Sequence, residues 1–312
     1  MEFKKYCSIE NTYREKEIGF WLTKYPELLK EQYIIEEKIH GSNFSIWMNK
    51  DGYKLGKRTS FLEEDENFFG YQQLKPLFEE IYSRVKKLVF RFKEINEIVL
   101  YGELYGNGVQ KGVYYSDKKD IAFFDISING EFAPSNIFVQ YAKMLEIKTV
   151  PILGYAKNLD EALQYNIELN SKLSDKEFGE KQNIIEGIVI KPYYKVYQNG
   201  YGSMFYLKKK NDKFKEKQRE PKVHKNNKIS DEILELNKIF QTYLTETRVD
   251  NVISKYGEIT SEKEIGKYLN LVKEDAKQEF LKDYPKEYDK TELKQICKHN
   301  LELSKIIMNK II

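Results

Sequence analysis

With 312 residues, 41% of them hydrophobic and 32% charged, the chain can build one large domain and a smaller one, and its composition excludes disorder as the default. A formal net charge of +3 excludes a basic field over the whole surface, so any nucleic-acid contact must come from local clustering. The two cysteines, Cys7 and Cys297, exclude a disulfide framework and match no metal-ligand spacing, which fits a reducing compartment. Residues 1–25 hold no signal-peptide pattern and no run of about 18 apolar residues occurs, so the expected setting is cytoplasmic or otherwise intracellular.

In chain order, a short helix is expected near 15–24. Residues 31–58 read as strands and turns. There the stretch Glu36 to Phe44 reads as a hairpin turn between Tyr33-Ile34-Ile35 and Ser45-Ile46-Trp47, with Gly41 supplying permissive dihedrals. Asp51-Gly52 is a second hairpin signal. Apolar positions Leu74, Leu77, Phe78, Ile81, Val85 and Leu88 predict an amphipathic helix over 71–93. Strands follow at 98–106 and 121–126, with a turn at Asn129-Gly130. Pro134 opens a helix to about 145, and a strand near 149–154 and a helix near 158–171 come next. Strands at 184–190 and 203–210 complete this half. Residues 208–228 are lysine-rich without a core pattern, hence a linker or exposed basic arm. Beyond 230 the spacing is helical: Ile233, Leu236, Phe240 and Tyr243 share a face, and helices follow near 262–282 and 291–311. The outline is α+β with mostly hairpin-type strands, then a small helical domain, with a boundary between 228 and 229.

The strand ends carry the chemistry. Lys38 and His40 lie at one, Glu103 at a second, Phe124 and Asp125 at a third, Glu186 and Lys191 at a fourth, Lys208 and Lys210 at a fifth. Lysines meet phosphates, single carboxylates hold a metal or ribose hydroxyls, and an aromatic ring stacks on a base, so the set suits a nucleoside triphosphate with a divalent ion. No serine elbow, P-loop or dinucleotide-binding glycine pattern is present. Strand alternation sends Lys208 and Lys210 to one face and leaves Lys209 as a surface lysine on the other.

Lys38-Ile39-His40-Gly41-Ser42-Asn43-Phe44 resembles nucleotidyltransferase motif I, K-x-H-G-x-N-F, in the form that RNA ligases use. Ile121 to Ile126 resembles motif IIIa, Glu186 to Pro192 motif IV, and Leu207 to Lys210 motif V; Gly102-Glu103-Leu104-Tyr105-Gly106 matches the family's acid after a strand. Order and gaps match as well. The chain is thereby similar, over nearly its whole length, to the bacteriophage RNA ligase 2 family, which seals nicks in double-stranded RNA. The segment Lys5 to Asn11 resembles that family's start. Thr245 to Val249 and Ile253 to Gly257 resemble its helical C-terminal domain.

The resemblance implies a nucleotidyltransferase (ATP-grasp-like) domain over 1–228 and a helical RNA-binding domain over 229–312. It implies ATP as co-substrate, Mg2+ or Mn2+, and lysyl-AMP and RNA-adenylate intermediates. Lys38 is the expected nucleophile, with Lys208 and Lys210 on the α-phosphate. Phe124 and Val189 would sandwich adenine, the Glu37 backbone would read it, and Glu103 would accept from ribose hydroxyls. Glu186 would help hold metal. Arg58, His40, Asn43 and Lys191 would meet phosphates, and Arg248 and Lys255 would help grip a nicked RNA duplex. The enzyme is expected to be a monomer, working in a host cytoplasm if viral. Without the motifs, Phe124 reads as core, His40 and Asp125 as turn residues, Glu103 as a paired structural acid and Arg58 as a surface charge. Glu36 has no assigned role. The alternatives are a DNA ligase or mRNA-capping enzyme, both of which would append a five-stranded OB-fold, and a non-catalytic nucleic-acid-binding protein.

Overall fold

The computed structural model describes residues 1–214, 229–299 and 301–311. The chain divides into two compact units, Met1–Lys213 and Phe214–Ile312. The expected boundary at 228 and most of the expected basic arm lie outside the described residues.

The first unit holds two five-stranded sheets. One is formed by β1 (Glu10–Asn11), β2 (Tyr33–Lys38), β8 (Ile152–Ala156), β9 (Gly187–Pro192) and β10 (Leu207–Lys210), in the order β1-β10-β9-β2-β8. The other is formed by β3 (Ser42–Asn49), β4 (Tyr53–Lys57), β5 (Glu97–Tyr105), β6 (Asp120–Ile128) and β7 (Glu131–Phe132), in the order β4-β3-β5-β6-β7. Every pairing is antiparallel except β1 with β10, which is parallel. The helices of this unit are α1 (Glu15–Lys24), α2 (Lys75–Leu88), α3 (Ser135–Leu145) and α4 (Leu159–Gln164).

Strand alternation explains how the first sheet is used. Tyr33, Ile35, Ile188, Ile190 and Leu207 point to one face and pack with Ile18 and Trp21 of α1 and Leu159 and Ala162 of α4. The intervening residues, Glu36 and Lys38 on β2, Val189 and Lys191 on β9, Lys208 and Lys210 on β10, point the other way. Because one face is an apolar core, a one-residue slip would bury these charges in it, so the register is fixed by burial. In α2 the buried Phe78, Ile81 and Val85 recur at helical spacing, Pro76 sits in the first turn, and Lys86 and Lys87 lie in the last, where the helix dipole favours cations.

Three expectations change. Lys38 does not sit in a hairpin: β2 pairs with β8 and β9, β3 pairs with β4 and β5, and Ile39–Gly41 carries the chain from one sheet to the other. The helix near 158–171 stops at Gln164, because the chain there extends to pair with residues ahead of β9: Ile185 N donates to Leu169 O and Ser171 N to Asn183 O. The long last helix is two, α8 (Lys290–Ile296) and α9 (Leu301–Met308). The end of α8 is capped from outside, since the Asn237 amide donates to the Ile296 and Lys298 carbonyls and the Gln241 amide to Lys298.

The described elements of the second unit are mainly helices, α5 (Ile229–Gln241), α6 (Glu246–Tyr256) and α7 (Ile265–Asp283) preceding α8 and α9, with one parallel bridge between Ile259 and Ile311. Tyr268, Val272, Ala276 and Phe280 bury one stripe of α7 at four-residue spacing. Arg248 of α6 is buried and joins this core. It donates to Tyr243 O at 2.7 Å, Asp275 at 2.5 Å and Glu279 at 2.6 Å, and Lys255 also binds Asp275. Arg248 therefore braces α6 against α7 rather than facing a duplex, which corrects its expected role.

Candidate active site

The site is built where the two sheets meet, around one carboxylate. Glu186 immediately precedes β9 and is almost fully buried. Its Oε2 accepts from Lys38 Nζ at 2.9 Å and lies 3.3 Å from His40 Nδ1; its Oε1 is 3.1 Å from Lys210 Nζ. Burial alone would raise the Glu186 pKa, but Lys38, Lys210 and His40 outweigh it and hold the carboxyl well below its usual range. Two glycines permit this convergence. A Cβ on Gly187 would stand 2.1 Å from Lys209 O, so β9 and β10 could not approach closely enough for Glu186 to meet Lys210. A Cβ on Gly41 would stand 2.3 Å from Leu104 O. Gly41 is required by this close approach, not by a positive φ, which corrects the expected reason.

From the second sheet come Asn43 and Glu103, which face each other across β3 and β5, and Arg58, just beyond β4. Burial pushes the Glu103 carboxyl up to about 7; Lys38 opposes this, Glu186 adds to it, and Arg58 and the Gly41 N–H oppose it. The Arg58 guanidinium donates to Cys7 O at 3.2 Å. Phe124 on β6 is partly exposed, whereas its neighbour Phe123 is buried, and the Tyr6 ring meets Phe124 edge-on at 5.3 Å.

The structure thus gathers Lys38, His40, Glu186, Lys210 and Glu103 into one electrostatic cluster. Lys208, opposite Val189 on the same inner face, flanks it. Lys191 is held differently. It is 1% exposed, pairs with Glu36 at 2.8 Å and Asp125 at 3.5 Å, and donates to Phe124 O at 2.6 Å. Burial alone would lower the Lys191 pKa, but Asp125 and Glu36 outweigh it and raise it, so the ammonium persists behind the Phe124 strand. Glu36 gains a role as this partner, and burial pushes its carboxyl up to about 7 against the pull of Lys191. Asp125 is no turn acid: it is fully buried and accepts from the Tyr6 hydroxyl at 2.5 Å. Lys209 is no free surface lysine either. It donates to the Leu163 and Tyr165 carbonyls, both at 2.9 Å, and so caps the C-terminus of α4.

The Glu37 side chain faces away from the cluster, accepting from Ser171 Oγ at 2.5 Å and Lys172 N at 3.0 Å. Ser171 and Tyr115, whose hydroxyl accepts from His40 N at 2.7 Å, were not legible in the sequence, because both lie in irregular segments without periodicity. Tyr6 carried a signal, lying in the segment that resembles the family's start.

Among the described residues no group of three or more His, Cys, Asp or Glu side chains gathers to hold a metal. The donor set fits a divalent ion only in the manner of magnesium, with one protein carboxylate and the remaining positions on phosphate oxygens and water.

The family described as RNA ligase matches residues 31–210, and the domain described as T4 RNA ligase 2 C-terminal matches residues 226–309. The chain belongs to the RNA ligase family. Among curated relatives it is 26% identical to mitochondrial RNA-editing ligase 1 of Trypanosoma brucei brucei, over 53% of this chain and 45% of that protein. It is 28% identical to the RNA-editing ligase 2 of that organism, over 33% of this chain and 25% of that protein. The matched regions thus span less than half the length of these relatives. A solved RNA ligase variant from Naegleria gruberi, with ATP and Mn, superposes with a TM-score of 0.50 at 18% identity, over 68% of this chain and 57% of that one, and so shares the fold.

Proposed function

We propose that the chain is an ATP-dependent RNA ligase that joins 3′-hydroxyl and 5′-phosphate ends, with nicks in duplex RNA as its preferred substrate. The observation that carries this reading is the Lys38 amine at the sheet crossover, 2.9 Å from a buried carboxylate that also gathers His40 and Lys210. Lys38 attacks the α-phosphorus of ATP, a phosphoramidate bond forms and pyrophosphate leaves. The AMP then passes to the RNA 5′-phosphate, and the 3′-hydroxyl displaces it to close the phosphodiester.

Attack needs the neutral amine, and the Lys38–Glu186 contact must break before Lys38 reaches the α-phosphorus. Lys210 and Lys208, on the same face of β10, stabilise charge on the α-phosphate. A divalent ion, Mg2+ or Mn2+, neutralises triphosphate charge when bound, and Glu186 is the carboxylate that would hold it. Phe124 offers a ring face for adenine opposite Val189, and the Glu37 backbone borders it. Glu103 accepts from ribose hydroxyls in this reading. His40, Asn43 and Arg58 serve the RNA phosphate. Lys191 acts from beneath Phe124, through its carbonyl, rather than on an exposed phosphate. We take the boundary between the adenylyltransferase domain and the helical RNA-binding domain to lie close to residue 228. We take the enzyme to be a monomer working inside cells, where ATP is available.

Incubation with labelled ATP and magnesium tests the chemistry. The wild type should carry a denaturation-resistant AMP adduct and Lys38→Ala none; an adduct on Lys38→Ala would refute the assignment. Labelling by GTP in place of ATP would redirect the reading to capping. Comparing a bridged nick with circularisation of a single strand tests the substrate, and equal circularisation would refute the duplex preference.

A further inference from the structure

The crossover Ile39–Gly41 leaves one sheet before it joins the other. Side chains bond two of its amides. The Gly41 N–H is taken by Glu103. The His40 N–H donates to the Tyr115 hydroxyl at 2.7 Å. Tyr115 is 3% exposed and its ring meets Tyr105 edge-on at 5.5 Å. Its own backbone is fixed from outside: Asp175 N donates to Tyr115 O at 2.9 Å, and the buried Asn183 side chain bonds both the N–H and the carbonyl of Tyr114 at 2.8 and 2.7 Å. A clamped segment thus presents one hydroxyl to the crossover that joins Lys38 and His40, the two residues that meet Oε2 of Glu186.

We propose that Tyr115 is a positioning residue for covalent nucleotide transfer, its hydroxyl fixing the crossover so that Lys38 and His40 share the same oxygen of Glu186. This rests on the ligase reading above and adds to it a residue outside every recognised motif. Tyr115 touches no reacting atom; it acts through the His40 amide. Burial keeps the phenol protonated, raising its pKa well above 10, so the oxygen stays a neutral acceptor.

The test uses the full chain with Tyr115→Phe, which keeps the ring and removes the acceptor. Tyr105→Phe is the control, since it deletes a neighbouring phenol that donates to Asp120 at 3.0 Å, away from the crossover. In Tyr115→Phe, hydrogen exchange of the His40 amide should rise by about tenfold, and the single-turnover rate of AMP-adduct formation at saturating ATP should fall by about tenfold. Half-saturation by ATP should move less than about twofold, because the loss lies in placement and not in binding. Tyr105→Phe should change neither the exchange nor the rate by that much. Unchanged exchange at His40, or raised exchange with an unchanged rate, would overturn the assignment. An equal rate loss in Tyr105→Phe would overturn it too, showing general loosening. A wild-type chain that forms no adduct overturns the ligase reading, and this assignment with it.

Discussion

A single hydrogen atom's replacement should be decisive at Gly41. The added methyl of Gly41→Ala would have to displace the Leu104 carbonyl, which is backbone and cannot swing aside. We expect AMP-adduct formation to fall at least about a hundredfold, as misplacement of a reacting group by about 1 Å does. A near-normal rate of adduct formation would show that the crossover tolerates movement. Glu37 tests electrostatics instead. Burial pushes its carboxyl up to about 7, against the Ser171 and Lys172 hydrogen bonds that pull it down. A raised carboxyl stabilises the fold fully below its unfolded value near 4.5, and that contribution is lost as pH rises through 7. Glu37→Gln cannot ionise, so its stability relative to wild type should grow by about 1–3 kcal/mol between pH 5 and pH 8. Denaturant titrations at several pH values measure this, and a constant difference would contradict it. That Lys38, His40, Glu186 and Lys210 matter together was readable as an expectation, because they fall at strand ends, and the fold brings them into contact. What a site residue touches was less so. Lys191 looked like a phosphate ligand in one dimension and proves to be enclosed by Glu36 and Asp125, because only the fold brings those acids to it.

Among the elements, strands with one apolar face declared themselves, and the parity of Lys208, Lys209 and Lys210 followed from alternation alone. Pairing did not. A strand pattern such as Tyr33-Ile34-Ile35 states that a segment pairs but not with which partner, so a crossing between sheets looked like a hairpin. The shortened α4 has the same origin: periodicity cannot foresee that Leu169 and Ser171 will bond residues ahead of β9. Lys209 joins these elements, tying β10 to the end of α4. Lys209→Met keeps the side-chain bulk and leaves the Leu163 and Tyr165 carbonyls uncapped. We expect a loss of about 1–2 kcal/mol in unfolding free energy, since two partly buried acceptors lose their donor. A variant as stable as wild type would show that water replaces the ammonium at no cost.

Among the described residues, the core clusters of the two units share no members. Ile35, Ile188 and Leu207 belong to one unit, and Phe240, Val272 and Ile307 to the other. Residues 1–213 alone should therefore still form the AMP adduct, while sealing of a nicked duplex should fall by at least about tenfold for want of the helical unit's contribution to binding. Sealing at the full rate would remove any RNA role from that unit. Within the helical unit, Arg248→Met removes the buried guanidinium that binds Asp275 and Glu279 and should cost about 3 kcal/mol, read from chemical denaturation of the full chain. An unchanged midpoint would show that the two acids do not depend on it. Two units were legible from the change of pattern after residue 210, whereas the buried place of Arg248 was not, because composition cannot tell a bracing arginine from an exposed one.

The parallel pairing of β1 with β10 joins Glu10 and Asn11 to Leu207 and Lys208. β1 thus waits for β10, which lies far downstream in the chain. Contacts so distant in sequence make a fold slow to form, and the edge of β1 has no partner until translation has passed Lys210. A chain stalled short of that point would have made Lys38 and Glu186 but not the strand bearing Lys208 and Lys210. On the proposed reading, the lysines assigned to the α-phosphate are therefore added last to the site, and a product cut short of Lys208 should be inert toward ATP.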